Sequence, residues 1–284
     1  MAGAPARCGR PGERLARNVT LTHAHGPLSP TPPETVNYTI EGPEHRLLLT
    51  PFPRRVRAEF GGAVVLDTRE GKLLYETGLL PQLYVPTADV DHELLTRTEH
   101  STYCPFKGDA SYWTIAVGDR RAENAVWAYE RPRAESAWLA GHLAPYWEAA
   151  DAWYDEEERV EGHLRDLYHR VDVRRSGRHV RVLLDDRVLA ETDRPGLLSE
   201  TGLPNRYYIP VEDVRLDLLT ESTTRAVCPY KGTAHYWSYT GEGPRVDDVA
   251  WSYPHPLEAA SKVKGELCFA HQRVTTEVDG ETVV

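Results

Sequence analysis

Short alternating stretches dominate the apolar pattern. Val56-Arg57-Ala58-Glu59-Phe60 alternates, Gly61-Gly62 interrupts, and Ala63-Val64-Val65-Leu66 resumes. That predicts a hairpin whose turn glycines supply positive φ. LLYETG (73–78) and LLSETG (197–202) read as strands that end at a glycine, and LYVP and YYIP as short strands stopped by proline. The segments YWTIAVG (112–118) and AVWAY (125–129) are rich in aromatic and β-branched residues, as strands are. ADVDHELL (88–95) and EDVRLDLL (212–219) predict one helical turn or a short helix, with Asp89 and Asp213 as candidate caps. Neighbouring strand residues point to opposite faces, so Tyr112 and Trp113 cannot line one surface. Many short strands with frequent turns predict a sandwich, barrel or tent-like fold.

The pattern occurs twice. A shift of 124 residues lays 55–132 on 179–256 without a gap, and 28 of 78 positions are identical. The register runs on to Gly141/Gly265 and Leu143/Leu267. In the second copy Asp185-Asp186 takes the place of the Gly61-Gly62 turn, and is turn chemistry too. The duplication predicts a mainly β protein of two homologous domains packed as a pseudo-dimer. The expected boundaries are an N-terminal arm over 1–50 with a disordered start, a first repeat over 51–150, a connector over 151–177 and a second repeat over 178–284. The arm holds GPLSPTPPETV, and the connector holds the acidic run Asp155-Glu156-Glu157-Glu158, expected on a solvated face.

Composition narrows the class. The chain of 284 residues has net charge −10 and no large Lys/Arg cluster, which argues against nucleic acid as a partner. It holds no apolar run of about 18 residues, so no membrane span is expected. Its first residues lack the apolar stretch of a secretory signal. Four separated cysteines (Cys8, Cys104, Cys228, Cys268) form no CxxC pair and fit a reducing, cytoplasmic location.

The recurring CPFKGDASYW (104–113) and CPYKGTAHYW (228–237) raise the chemical question. Zinc needs four N/S ligands, usually in closely spaced pairs. Each copy offers one cysteine followed by proline, Cys104 or Cys228, with no second cysteine nearby, so no metal and no cofactor is implied. His23-Ala24-His25 has no clear third ligand. Cys104 as a nucleophile would need a base; His100 is the candidate, but the second copy has Thr224 there. A buried, small apolar cysteine is favoured instead. Asp89-Val90-Asp91 could hold magnesium, but Arg215 breaks the pair in the second copy, and no phosphate-binding glycine loop is present.

An aromatic set remains. Tyr84, Tyr112, Trp113, Trp127 and Tyr129 recur as Tyr208, Tyr236, Trp237, Trp251 and Tyr253. They are candidate ligand-binding residues, or else sheet core. Glu76, Glu200, Lys107 and Lys231 recur beside them as candidate catalytic residues. A buried carboxylate there is expected to have a raised pKa and to serve as acid or base. The competing reading makes each glutamate a turn carboxylate bonded to backbone and each lysine an exposed turn residue.

Together, ETG, Y-x-P-x-x-D-V, CP[FY]KG-x-A-x-YW and AW-x-Y-x-x-P resemble the DUF427 family (labelled NTP_transf_9). The arm and the junction resemble its tandem actinobacterial form. The resemblance runs from about residue 26. It implies a β-tent (Mss4-like) fold, whose relatives bind zinc or hold a small ligand in a tryptophan cage. Two departures separate the copies. His235 stands where the family has serine, as Ser111 does, and Pro145 stands where Phe269 keeps the usual phenylalanine. The leading expectation is a small-molecule ligand in an aromatic-lined cleft. The alternatives are a metal-free acid–base enzyme of isomerase, lyase or cyclase type, in specialised metabolism, and a protein-interaction scaffold. Oligomeric state is not legible.

Overall fold

A computed structural model describes Asn37 and residues 42–283. The chain divides into two units, the first ending at Asp166 and the second starting at Leu167.

The first unit has eleven described strands. They are β1 (Leu47–Pro51), β2 (Val56–Phe60), β3 (Ala63–Thr68), β4 (Lys72–Glu76), β5 (Gln82–Pro86), β6 (Leu95–Cys104), β7 (Gly108–Val117), β8 (Arg120–Ala128), β9 (His142–Pro145), β10 (Ala152–Asp155) and β11 (Glu158–Arg159). Seven form one sheet in the order β1-β4-β5-β9-β8-β7-β6, and four form another in the order β11-β10-β2-β3.

The second unit repeats this plan. Its strands are β12 (Val171–Arg175), β13 (Val180–Leu184), β14 (Arg187–Thr192), β15 (Gly196–Glu200), β16 (Arg206–Ile209), β17 (Leu219–Cys228), β18 (Gly232–Tyr239), β19 (Val246–Ser252), β20 (Leu267–Phe269), β21 (Val274–Val278) and β22 (Glu281–Val283). The sheet orders are β12-β15-β16-β20-β19-β18-β17 and β14-β13-β21-β22, the same topology strand for strand.

Strand alternation builds two cores in each unit. In the first, Val56, Ala58 and Phe60 of β2 meet Leu73, Tyr75, Leu83 and Val85 of β4 and β5, and the two sheets pack through them. The intervening residues Leu74 and Tyr84 point the other way. With Cys104, Ala110, Tyr112 and Tyr129 they form a smaller cluster on the opposite face of the large sheet. The second unit has the same pair of cores. The large sheet thus carries apolar side chains on both faces, and its second face carries most of the repeated aromatics.

The segments read as a helical turn or short helix are each a pair of 3-10 turns, Thr87–Asp89 and His92–Leu94, matched by Val211–Asp213 and Leu216–Leu218, and the expected cap needs correction. Asp89 caps neither; it accepts the Thr68 hydroxyl at 2.6 Å, as Asp213 accepts that of Thr192 at 2.7 Å. Asp91 is the cap, accepting the Glu93 amide at 3.0 Å. Strands also extend past the expected repeat boundaries. Ala152–Asp155 pairs with β2 in the first unit, and Val171–Arg175 pairs with β15 in the second. Similarly, β1 lies in the stretch read as an arm and pairs with β4. His23 and His25 lie outside the described residues. Among the described residues, no helix is long and apolar enough to cross a membrane.

Candidate functional site

Local turn chemistry explains the CPFKG motif. Pro105-Phe106-Lys107 joins β6 to β7, and the Lys107 amide donates to the Cys104 carbonyl at 3.3 Å. Proline presets the backbone angle at the second turn position. Gly108 follows with φ +100°, and Gly232 with φ +101°. A Cβ at Gly232 would lie 3.0 Å from the His255 carbonyl, so glycine is required. The turn sends Lys107 inward: the residue is only 7% exposed. Lys107 is therefore not an exposed turn residue.

The ETG motif divides its labour. Thr77 donates its amide to the Arg46 carbonyl (3.1 Å) and accepts the Arg46 amide on its hydroxyl (3.0 Å). That clamp fixes the chain just before β1 and sets His45 in place. Glu76, which shares the face of Leu74, is free of the backbone role. Its Oε1 accepts from His45 Nε2 at 2.9 Å, and its Oε2 accepts from Lys107 Nζ. The turn-carboxylate reading of Glu76 does not hold; Thr77 does that work.

The second unit repeats every part. His169 Nε2 donates to Glu200 Oε1 at 2.9 Å, Lys231 Nζ donates to Glu200 Oε2, and Thr201 clamps Arg170. His45 stacks on Phe106 at 3.8 Å, and His169 tilts against Tyr230 at 4.2 Å. Histidine, glutamate and lysine are spaced by 31 residues in both units.

The expected rise in carboxyl pKa is reversed. Burial pushes the Glu76 carboxyl up, but the His45 and Lys107 hydrogen bonds and charge pull it further down, to below the ordinary glutamate value. Glu200 is lowered in the same way by His169 and Lys231. Both carboxylates are held ionised, with each oxygen bonded.

His45 and His169 were not among the residues singled out from sequence. A signal was present: the 124-residue shift lays His45-Arg46 on His169-Arg170, upstream of the longest matching window.

Most of the aromatic set gathers beside this constellation. Lys107 Nζ lies 5.7 Å from the Tyr129 ring centroid, and Trp127 meets Tyr84 edge-on at 6.4 Å and Tyr146 at 4.4 Å. Tyr84, Tyr112 and Tyr129 are buried, whereas Trp127 and Tyr146 are half-buried. Burial raises the Tyr84 and Tyr129 phenols well above their ordinary range. In the second unit, Trp251 Nε1 donates to the Tyr208 hydroxyl at 3.1 Å, with Tyr253 and Tyr236 packed alongside. The Tyr208 and Tyr253 phenols are raised by burial too. Trp113 and Trp237 are not brought in; they pack against the other core.

The remaining candidates have structural surroundings. Cys104 is buried among the aromatics. His100 turns to the Tyr112 ring at 4.5 Å. Ser111 donates to Glu130 at 2.6 Å, and His235 at the matching position bonds Glu221 at 2.9 Å, so that departure lies in surface pairs. Among the described residues, no group of three or more His, Cys, Asp or Glu is placed to hold a metal ion.

A family model named NTP_transf_9, a domain of unknown function (DUF427), matches residues 48–156 and again 172–280. Each match begins three residues after the histidine of its constellation. Comparison with curated proteins gives no match.

Proposed function

The chain belongs to the DUF427 family, in two tandem copies, and from that premise we propose that each unit binds a small organic molecule on the aromatic face of its seven-stranded sheet, beside the histidine–glutamate–lysine constellation. One observation carries this reading: the buried charged triad recurs with identical spacing and identical bonds in both units. Stability alone does not call for it, because apolar side chains of similar volume often serve a core as well as a buried ion pair does. Buried ionisable groups beside aromatic walls are common at binding sites. The half-buried Trp127 and Tyr146, and Trp251 and Tyr236, offer ring faces to an apolar body. Acid–base catalysis has less support, since Glu76 and Glu200 are lowered in pKa and both oxygens of each are engaged.

Intrinsic tryptophan fluorescence of the full chain, titrated with fractions of a small-molecule cell extract, tests the proposal. At least one fraction should change the emission saturably in the wild type, and lose that effect in Trp127→Ala/Trp251→Ala. Fractions that act equally on both proteins, or on neither, would contradict it.

A further inference from the structure

A second concave surface of the first unit stands outside this constellation. A groove of about 380 Å³ lies over β6, β7 and β8, lined by Thr96, Thr98, His100, Thr114, Arg121 and Asn124, with Glu123 beside them. The sheet is bulged there: the pairing register shifts between Arg97 and Ser101 and between Trp113 and Ile115. Asn124 takes φ +51°, a left-handed conformation that asparagine and aspartate tolerate best among side-chain-bearing residues. Its amide donates to Thr114 Oγ1 at 3.3 Å, and its Oδ1 accepts the Thr98 hydroxyl at 2.7 Å. That bond engages the side-chain oxygen, while among the described residues no hydrogen bond engages the side-chain NH2 of Asn124, which lines the groove.

We propose that this groove binds a compact oxyanion, the phosphate or carboxylate group of a small molecule or the free ion. The Asn124 NH2, the Arg121 guanidinium, the Thr96 hydroxyl and the His100 ring supply donors of the kind such groups take. Among the described residues, the Arg121 guanidinium has no ion-pair or hydrogen-bond partner. Glu123 is exposed and unpaired there too, and suits a hydroxyl or ammonium on the body of a larger ligand.

The second unit supplies the contrast. Asp248 stands at the matching bulge with φ +52°, and its two oxygens accept the Ser222 and Thr224 hydroxyls, both at 2.7 Å. Thr224 replaces His100, and Arg245, the counterpart of Arg121, is tied to Asp247 at 2.6 Å. The donors there are spent and a negative charge sits among them. The anion site therefore belongs to the first unit alone.

The test is an NMR titration of the full chain with sodium phosphate and with phenyl phosphate. Saturable shifts of the Asn124 side-chain NH2 and the Arg121 Nε–H are expected. Asn124→Asp installs the residue that the second unit already accommodates at this backbone angle, so it should fold with an unchanged Tm. It should weaken binding roughly tenfold or more, as should Arg121→Gln. Tighter binding of phenyl phosphate marks the end group of a larger ligand, and equal binding marks the free ion. No saturable shift at these two residues up to about 50 mM, well past a millimolar site, would overturn the proposal. So would wild-type affinity in Asn124→Asp. Neither variant touches Trp127 or Trp251, so failure here is separable from failure of the aromatic-face reading.

Discussion

Glu76 sits 4% exposed between a histidine and a lysine, and its charge is tolerable only because both oxygens are bonded. Glu76→Gln leaves Lys107 buried without its counter-charge. It should cost the first unit about 3–5 kcal/mol, read by denaturant unfolding. Adding Lys107→Met should recover much of that loss, since it removes the buried charge that Glu76→Gln leaves unpaired. The same carboxylates set an acid limit. Their folded-state pKa values lie below the ordinary 4.5, so they stabilise fully above that pH and lose the contribution as pH falls through the lower folded values. Tm should fall once the pH passes below about 4.5, and Glu76→Gln/Glu200→Gln should flatten that limb. The repeat made Glu76 and Lys107 legible, because both recur at one shift. Their pairing was not legible: 31 residues separate them, and only the β4 end and the β6–β7 turn bring them together. The lowered pKa followed from that hidden partnership, whereas sequence showed only the prospect of burial.

Between strands, the motif residues act as punctuation. Gly232→Ala places a Cβ 3.0 Å from a backbone carbonyl at φ +101°. It should destabilise the second unit by about 1–3 kcal/mol, measured as a lowered Tm. If Lys231 is steered by this turn, the variant should also disturb the His169 ring resonances, since both side chains bond Glu200. Alternation was the reliable signal at this scale: Tyr112 and Trp113 do part to opposite cores. Where alternation was short or charged, it gave little. Glu156, Glu157 and Glu158 are exposed as the acidic run suggested, but β10 is short and β11 is two exposed residues, so alternation did not reveal the sheet edge there. The Asp89 cap was misplaced because two 3-10 turns in succession move the cap to Asp91.

Across the molecule, two units each carry eleven described strands in the same order and two cores of their own. Residues 1–166 and 167–284, expressed separately, should each give dispersed amide NMR spectra and cooperative unfolding, because each contains a complete core. The duplication itself was legible from the 124-residue shift, and with it the mainly β class. The role of the aromatic set was less so, since an aromatic strand reads alike as core and as binding wall. The structure places Tyr84, Tyr112 and Tyr129 in the core, with Trp127 and Trp251 half-buried beside the triads. The deciding measurement is native mass spectrometry of the full chain as isolated from cells, compared with Trp127→Ala/Trp251→Ala. A ligand on the aromatic face predicts an added organic mass, up to two per chain, that the double variant loses while staying folded. A bare wild-type chain, or an added mass that persists in the variant, would contradict a ligand on that face.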